Sequence, residues 1–146
     1  MNQPIGPEPL DSPTQWVREH TQRYLETAGE DGYLWRGVPT LLLTTRGRRS
    51  GQMRRTALIF GRDGDTYVVV ASRGGAPEHP LWYLNLCDSP AVEVQVKDER
   101  FRARARPATA DERPRLWRLM ADIWPAYDEY QTRTPREIPV VVIERE

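Results

Sequence analysis

Arginines supply the one concentrated chemical signal in this chain. The stretch "LLLTTRGRRSGQMRRTALIF", residues 41–60, holds five of them, Arg46, Arg48, Arg49, Arg54 and Arg55, within ten positions. From Gly32 to Arg62 there are seven arginines and neither an aspartate nor a glutamate. A guanidinium is planar, permanently charged and presents its donors in a fork that fits phosphate and carboxylate oxygens. Backbone N–H groups beside Arg48, Arg49, Ser50 and Arg54, at a glycine-bearing turn, add further donors. Each charge-assisted bond contributes roughly 1.5–3 kcal/mol. An anion site is one reading and a solvated hairpin tip the other; the charge cluster alone favours neither.

Groups for acid–base or covalent chemistry are scarce. His20 sits on a helical stretch beside Glu19 and His79 in a loop, and neither has the spacing of a zinc site or a catalytic triad. Cys87 is the sole cysteine, which excludes an internal disulfide, and in an apolar helical run it reads as packing. GxSxG, Walker A, GxGxxG and HExxH patterns are absent, so no metal is expected and a bound cofactor should carry any chemistry. Two other segments suit such a cofactor. "ASRGG" places Ser72 and Arg73 at a strand end, with glycines that permit close approach, and "PLWYLN" adds the flat face of Trp82. "WPAYDEY" sets Trp124, Tyr127 and Tyr130 at i, i+3 and i+6, along one side of a helical turn. Taken singly, each is more often core packing.

The positioning elements follow from periodicity. At 146 residues with zero formal net charge, the chain reads as one soluble domain without an extended nucleic-acid surface. Its apolar runs are strand-sized, short of the ~20 residues of a membrane span, and its start lacks a secretory pattern, so a cytoplasmic location is expected. Residues 1–30 read as an N-terminal arm and helix, capped by Ser12, with Pro13 at the first position and Gly29 as the stop, and with Trp16, Val17, His20 and Tyr24 on one face. Residues 31–146 form the main domain. "TLLLTTR", "RRTALIF" and "TYVVVAS" predict a three-strand meander; "AVEVQVK" and "FRARARPA" predict a hairpin across "DER" with its charged face in water. "LWYLNLC" is a short helix. Thr109 and Glu112 have capping-box spacing before a helix whose Leu116, Leu119, Met120 and Ile123 share a face, limited by Pro125. "IPVVVIE" is the last of six strands. The fold class is α+β, a small antiparallel barrel or tightly curved sheet flanked by helices.

Together, "TTRGRRSGQMRRTALIF", "VVVASRGGAPEHPLWYLNL", "SPAVEVQV", "ARPATADER" and "WPAYDEYQTRTPREIPVVVIE" resemble the deazaflavin-dependent nitroreductase family. The resemblance covers nearly everything from Thr40 to Glu144. It implies a split β-barrel of the FMN-binding and pyridoxamine-phosphate-oxidase type. It also implies that reduced coenzyme F420, rather than FMN, delivers hydride to a quinone or related electron-poor acceptor. By matching motifs, Arg48, Arg49, Ser50 and Arg54 would hold the cofactor's phosphate and the start of its polyglutamate tail. Arg55, Thr56, Ala57, Leu58, Ile59, Val70, Ala71, Ser72, Arg73, Leu81, Trp82 and Asn85 would contact the deazaflavin and its ribityl chain. Tyr127 would meet both cofactor and acceptor, Trp124 and Tyr130 would border the acceptor, and Ser72 would hydrogen-bond the acceptor or the ring.

The sequence departs from that family pattern at a few positions. Arg49 and Arg73 stand where lysines are frequent, Ile59 where an aromatic is common, Leu81 in place of a methionine and Trp124 in place of a tyrosine. These changes bear on acceptor preference more than on cofactor binding. Some members meet the inner face of a membrane through their N-terminal segment. Here Glu19 and Glu26 oppose Arg18 and Arg23, so any such peripheral contact should be weak. Two other readings remain: an F420 carrier without turnover, and a nucleic-acid module using "RGRRSGQMRR", which the neutral chain disfavours. The sequence does not decide between monomer and dimer.

Overall fold

The computed structural model describes residues 9–146; the first eight residues of the expected arm lie outside them. In chain order the elements are β1 (Leu10–Asp11), α1 (Gln15–Glu26), β2 (Leu34–Trp35), β3 (Val38–Arg46), β4 (Met53–Ile59), β5 (Gly61–Asp63) and β6 (Thr66–Val70). After them come α2 (Leu81–Asp88), β7 (Ala91–Val96), β8 (Glu99–Pro107), α3 (Arg113–Ile123), α4 (Ala126–Thr132) and β9 (Val140–Arg145). All six expected strands are present.

The sheet runs β1-β4-β3-β7-β8-β9-β6-β5, with β2 paired to β3. Every pairing is antiparallel except that of β1 with β4. Strands β4 and β5 lie near opposite ends of this order, yet a single residue, Phe60, joins them in the chain. The sheet must therefore curl until its ends meet, which makes it a split β-barrel. Phe60 is buried at that seam: its N–H donates to the Pro39 carbonyl at 3.2 Å, and its ring meets Tyr33 and Tyr67. The expected three-strand meander is corrected here. β3 and β4 form a hairpin, but the third strand, β6, pairs with β5 and β9 instead of β4. Short turns suggested sequential pairing, and the seam at Phe60 overrides it.

Two cores share the strands of the barrel. Leu41, Leu43, Phe60, Tyr67, Val69, Val94, Phe101, Ala103, Val141 and Ile143 fill the interior. Val68, Val70, Val140 and Val142 face outward and are covered by Leu116 and Met120 of α3 and Tyr127 of α4. That two-sided burial explains why "TYVVV" and "VVVI" read as continuous apolar runs while β8 alternates. Fully burying each such side chain contributes about 1.5–3 kcal/mol.

Helix α1 docks through Tyr24, which is fully buried. Its hydroxyl donates to the Thr40 carbonyl at 3.1 Å and accepts from the Lys97 N–H at 2.7 Å. Desolvation is the main force that raises this phenol to about 12, so it stays protonated. The cap differs from expectation: the helix begins at Gln15, and Ser12 accepts from the Thr14 N–H at 3.2 Å instead of capping the first turn. Gly29 does end the helix region, its N–H bonding the Tyr24 carbonyl at 2.8 Å with φ +84°. A Cβ there would lie 2.5 Å from Lys97 Cα. The β7–β8 turn is Lys97–Asp98, one residue before the expected "DER", with Val96 opposite Glu99. Cys87, expected to pack, is exposed.

The capping box forms ahead of α3. The Thr109 N–H donates to Glu112 Oε1 at 2.8 Å, and the Glu112 N–H to Thr109 Oγ1 at 3.3 Å. Arg106 adds bonds to both Glu112 oxygens at 2.7 and 3.1 Å. These contacts, Arg106 first, hold the Glu112 carboxyl at about 2, below its usual 4.5. Their stabilisation is thus complete above pH 4.5 and fades as pH falls toward 2. Because the pair is only part-buried and screened by solvent, Glu112→Ala should cost about 1 kcal/mol at pH 7, or about 2–4 °C in melting temperature. Glu112→Gln, which keeps the acceptor but not the charge, should fall between. Thermal melts from pH 7 to pH 2.5 check this: the gap between wild type and the Gln variant must narrow on acidification.

Candidate active site

One edge of the barrel is open. Strand β1 covers β4 only at Arg54 and Arg55, so among the described residues the outward backbone groups from Thr56 to Ile59 have no strand beside them. That edge forms one wall of a cleft of about 670 Å³, which also takes in Val70, Ser72, Arg73, Gly74, Trp82, Trp124, Tyr127 and Tyr130. The volume suits a cofactor-sized ligand. Free N–H and C=O groups on a strand edge offer paired donors and acceptors to a polar ring edge.

The floor comes from the connection after β6. Arg73, Gly74 and Gly75 have φ of +46°, +62° and +82°, three successive left-handed residues. Gly75 is required by space as well as conformation, since a Cβ there would lie 2.5 Å from the Tyr130 carbonyl oxygen of α4. Among the described residues the Ser72 hydroxyl has no hydrogen-bond partner, while its carbonyl accepts from Arg136 Nη2 at 2.7 Å. Arg73 lies 3.6 Å from Glu78 in an exposed pair.

Aromatic rings make the facing wall. Tyr127 is buried, and desolvation, aided by Tyr130, pushes its phenol well above the ordinary range. It can only act as a neutral hydrogen-bonding group. Trp124 Nε1 lies 3.5 Å from the Tyr130 hydroxyl. Trp35 stands 5.2 Å from Trp124, and Trp16 stacks on Trp35 at 5.9 Å and 21°. Trp16, Val17, His20, Trp35 and Arg36 therefore border the cleft, a group that sequence reasoning did not assign to it. The sequence read Trp16 as part of a packing face, but it is 57% exposed. Trp35 and Arg36 sit in a tight turn with φ +50° at Arg36 and carried no periodic signal. His20 bonds the Gly32 carbonyl at 2.6 Å and is nearly buried.

The arginine turn forms a second cluster, at the other end of β4. Its backbone is largely committed internally. Gly47 N–H bonds Gln52 O at 2.7 Å, Gly51 N–H bonds Gly47 O at 2.8 Å, and Gln52 N–H bonds Ser50 Oγ at 3.2 Å. Arg48 N–H donates to Asn85 Oδ1 at 3.1 Å, and Asn85 Nδ2 donates to Thr45 Oγ1 at 3.2 Å. Buried Asn85 thus braces the turn from α2. The expected bank of free amides is reduced to those of Arg49 and Ser50, leaving the side chains to meet an anion. Arg48, Arg49 and Arg54 are exposed, and among the described residues no carboxylate pairs with them. At about 3.3 Å per residue, β4 carries the chain about 13 Å from Arg54 to Leu58.

Four residues expected at the ring and ribityl chain lie elsewhere, Asn85 among them: it is buried under the arginine turn, with its amide bonded to Arg48 and Thr45 rather than lining the cleft. Arg55 is 7% exposed and donates to Asp11 Oδ1 at 2.8 Å, on the side of Leu42 and Glu93 away from the cleft. Ala71 is fully buried, and Leu81 is 67% exposed without lining the cleft.

Comparison with known proteins gives a consistent result. The sequence model of the family described as F420H(2)-dependent quinone reductase matches residues 16–145. The F420H(2)-dependent quinone reductase Rv1261c of Mycobacterium tuberculosis is 42% identical over 135 residues, covering 90% of this chain and 91% of that protein. Among solved structures, an F420-H2 dependent reductase (FDR-A) is 41% identical, with TM-score 0.67 over 73% of this chain and 94% of its own. A domain-swapped dimer is 43% identical, with TM-score 0.70 over 91% of this chain and 100% of its own.

The floor of the cleft yields a test by paired substitutions. Gly75→Ala combines left-handed strain of about 1–2 kcal/mol with a backbone clash, whereas Gly74→Ala meets no atom within 4 Å and carries strain alone. Urea denaturation should show the Gly75 variant at least twice as destabilised. Equal losses would contradict the close approach to Tyr130.

Proposed function

The chain belongs to the F420H(2)-dependent quinone reductase family, and from that premise we propose that its cleft passes hydride from reduced coenzyme F420 to a quinone or related electron-poor acceptor. The observation that carries the site assignment is the continuity, along β4, of an aromatic-walled cleft with three arginines that have no carboxylate partner among the described residues. The donor set fits the cofactor. A flat heteroaromatic ring suits Trp82 and the open β4 edge, and a tail carrying a phosphate and carboxylates suits several guanidinium groups better than FMN's single phosphate would. When bound, the reduced deazaflavin supplies the hydride; the chain supplies orientation and electrostatics.

In this reading Arg48, Arg49 and Arg54, with Ser50, hold the tail, while Asn85 keeps the turn in shape. Thr56, Ala57, Leu58 and Ile59 align the ring edge by backbone hydrogen bonds. Ser72 offers its hydroxyl to the ring or acceptor. Tyr127, protonated at any physiological pH, sits between the two ligands, and Trp124 and Tyr130 border the acceptor, with Trp35 and Trp16 extending that wall. Arg55 acts indirectly, by pinning β1 to β4 through Asp11. Among the described residues no helix is long and apolar enough to cross a membrane. A weak peripheral contact would be made by exposed Trp16 at the mouth of the cleft, with Glu19 and Glu26 limiting attraction to anionic lipid.

Fluorescence titration with F420 and with FMN tests the cofactor assignment, and F420 should bind more tightly. The triple variant R48A/R49A/R54A should weaken F420 binding by at least about a hundredfold with little change in melting temperature. A folded triple variant with an unchanged dissociation constant would refute the tail site. Oxidation of F420H2 by menadione separates an enzyme from a carrier, because a protein that binds F420H2 tightly and leaves menadione unreduced is a carrier. Ser72→Ala should lower kcat with menadione while leaving F420 affinity within about twofold.

A further inference from the structure

Arg136 lies between α4 and β9, outside the cleft, yet its guanidinium is spent on one loop. Nε donates to the Ala76 carbonyl at 2.8 Å, Nη2 to the Ser72 carbonyl at 2.7 Å, and Nη1 to the Ala71 carbonyl at 3.3 Å. Nη1 also lies 3.0 Å from His79 Nδ1. These four acceptors span nearly the whole connection from β6 to α2. The same connection contributes Ser72, Arg73 and Gly74 to the cleft. Its own bonds are few: Gly75 N–H to Ser72 O at 2.9 Å and Ala76 N–H to Arg73 O at 3.1 Å. Two such bonds must hold a non-glycine and two glycines in left-handed conformations.

The base of the clasp is itself fixed. Gln131 Nε2 donates to the Arg136 carbonyl at 2.8 Å, the Arg136 N–H donates to Thr134 Oγ1 at 3.3 Å, and Gln131 Oε1 accepts from the Ile138 N–H at 2.9 Å. We propose that Arg136 is a positioning residue, a clasp that holds the Ser72–Gly74 wall in its ligand-binding shape, and that His79 makes the clasp sensitive to protons. The functional half of this inference rests on the cofactor cleft proposed above.

Its pH dependence follows from donor and acceptor roles. Nη1 carries only hydrogens, so His79 Nδ1 must offer a lone pair, and the ring must be neutral. Protonation sets one N–H against another and adds like charge. Burial, then the Arg136 charge, lowers the His79 pKa from 6.5. The surroundings of the pair are the Tyr83 ring, 4.8 Å from the imidazole, and the Arg73–Glu78 pair, whose charges act on Arg136 in opposite directions. None of these supplies an anion directly to the imidazole. The His79 arm of the clasp is therefore intact above the ordinary histidine range and is lost as pH falls through the lowered folded-state value, which weakens the clasp while its carbonyl bonds remain.

Three proteins test the proposal: wild type, Arg136→Lys and His79→Asn. Lysine keeps the charge but cannot reach acceptors on opposite sides of a fork, whereas Asn keeps an acceptor near Nδ1 that does not titrate. Two readouts are taken between pH 5 and 8: the F420 dissociation constant by fluorescence without acceptor, and amide hydrogen exchange at Gly75 and Ala76. Arg136→Lys should weaken F420 binding at least tenfold at pH 7.5 and speed exchange at both amides, with the melting temperature little changed. Wild-type affinity should fall on acidification, and His79→Asn should flatten that fall. Wild-type exchange and affinity in the Lys variant, or an unaltered pH profile in the Asn variant, would overturn the proposal. Failure of wild type to bind F420 would overturn the cofactor reading instead, and the exchange measurements would still decide whether the clasp exists.

Discussion

The one-residue link at Phe60 is the constraint on which the rest of the molecule depends. It forces the two ends of an eight-strand path to meet, and so turns a sheet into a barrel. Closure there is tight. A Cβ on the next residue, Gly61, would come within 2.8 Å of Met120 Sδ and 2.9 Å of Ile123 Cδ1, so the side chains of α3 pack directly on the backbone at the seam. Because the ends meet without a full ladder, the β4 edge stays open from Thr56 onward while the end of β6 is brought opposite it. The cleft is the gap left by that incomplete closure. An open strand edge is ordinarily a liability to a soluble protein; here aromatic side chains and a helix shield it and leave room for a ligand.

Arginine does two different jobs in this chain, and the partner separates them. Arg113 and Arg136 donate to carbonyls far off in sequence, and Arg106 to Glu144 as well as to nearby Glu112, so that they stitch loops and strands of the barrel together. Arg55, almost fully buried, is tied to Asp11 and keeps the short β1 against β4. Taking such a charge out of water is tolerable because the paired carboxylate and its geometry offset the desolvation cost. Arg48, Arg49 and Arg54 keep their hydration and have no such partner among the described residues. Their mutual repulsion at one turn is stable only because the side chains remain in water, with the backbone beneath them locked by Asn85, Ser50 and Gln52. That combination, a rigid base under free charges, is what binding a multiply charged anion requires.

Much of this was legible in the sequence wherever a local rule was obeyed. The six long strands, the capping box at Thr109 and Glu112, the inward face of β8 and the α3 face all follow from period and cap chemistry. The arginine turn announced itself by the lack of acids around it. What could not be read depended on distant pairing. Nothing local says that "TYVVVAS" skips its neighbour "RRTALIF" to join the last strand. Arg55 looks like its neighbours in sequence, but strand alternation turns it to the opposite face, where Asp11 waits. Arg136 and the tryptophans Trp16 and Trp35 reach the site only through tertiary packing, across separations that periodicity does not measure.

The distribution of the walls has a consequence for how the proposed activity can vary. In the proposed reading, the cofactor side is built from adjoining positions of β4 and the end of β6, both fixed by barrel closure, so substitutions there disturb fold and ligand together. The wall proposed for the acceptor is assembled from α1, β2 and the α3–α4 junction, which touch one another mainly through ring contacts between Trp16, Trp35 and Trp124. Ring contacts tolerate exchange of one flat side chain for another better than a hydrogen-bonded strand edge tolerates any change. The departure at Trp124 lies on this adaptable boundary and that at Ile59 at the end of the β4 edge, whereas Arg49 and Arg73 retain the charge of the lysines frequent at those positions. A single barrel can thus keep one hydride donor while its acceptor wall is retuned.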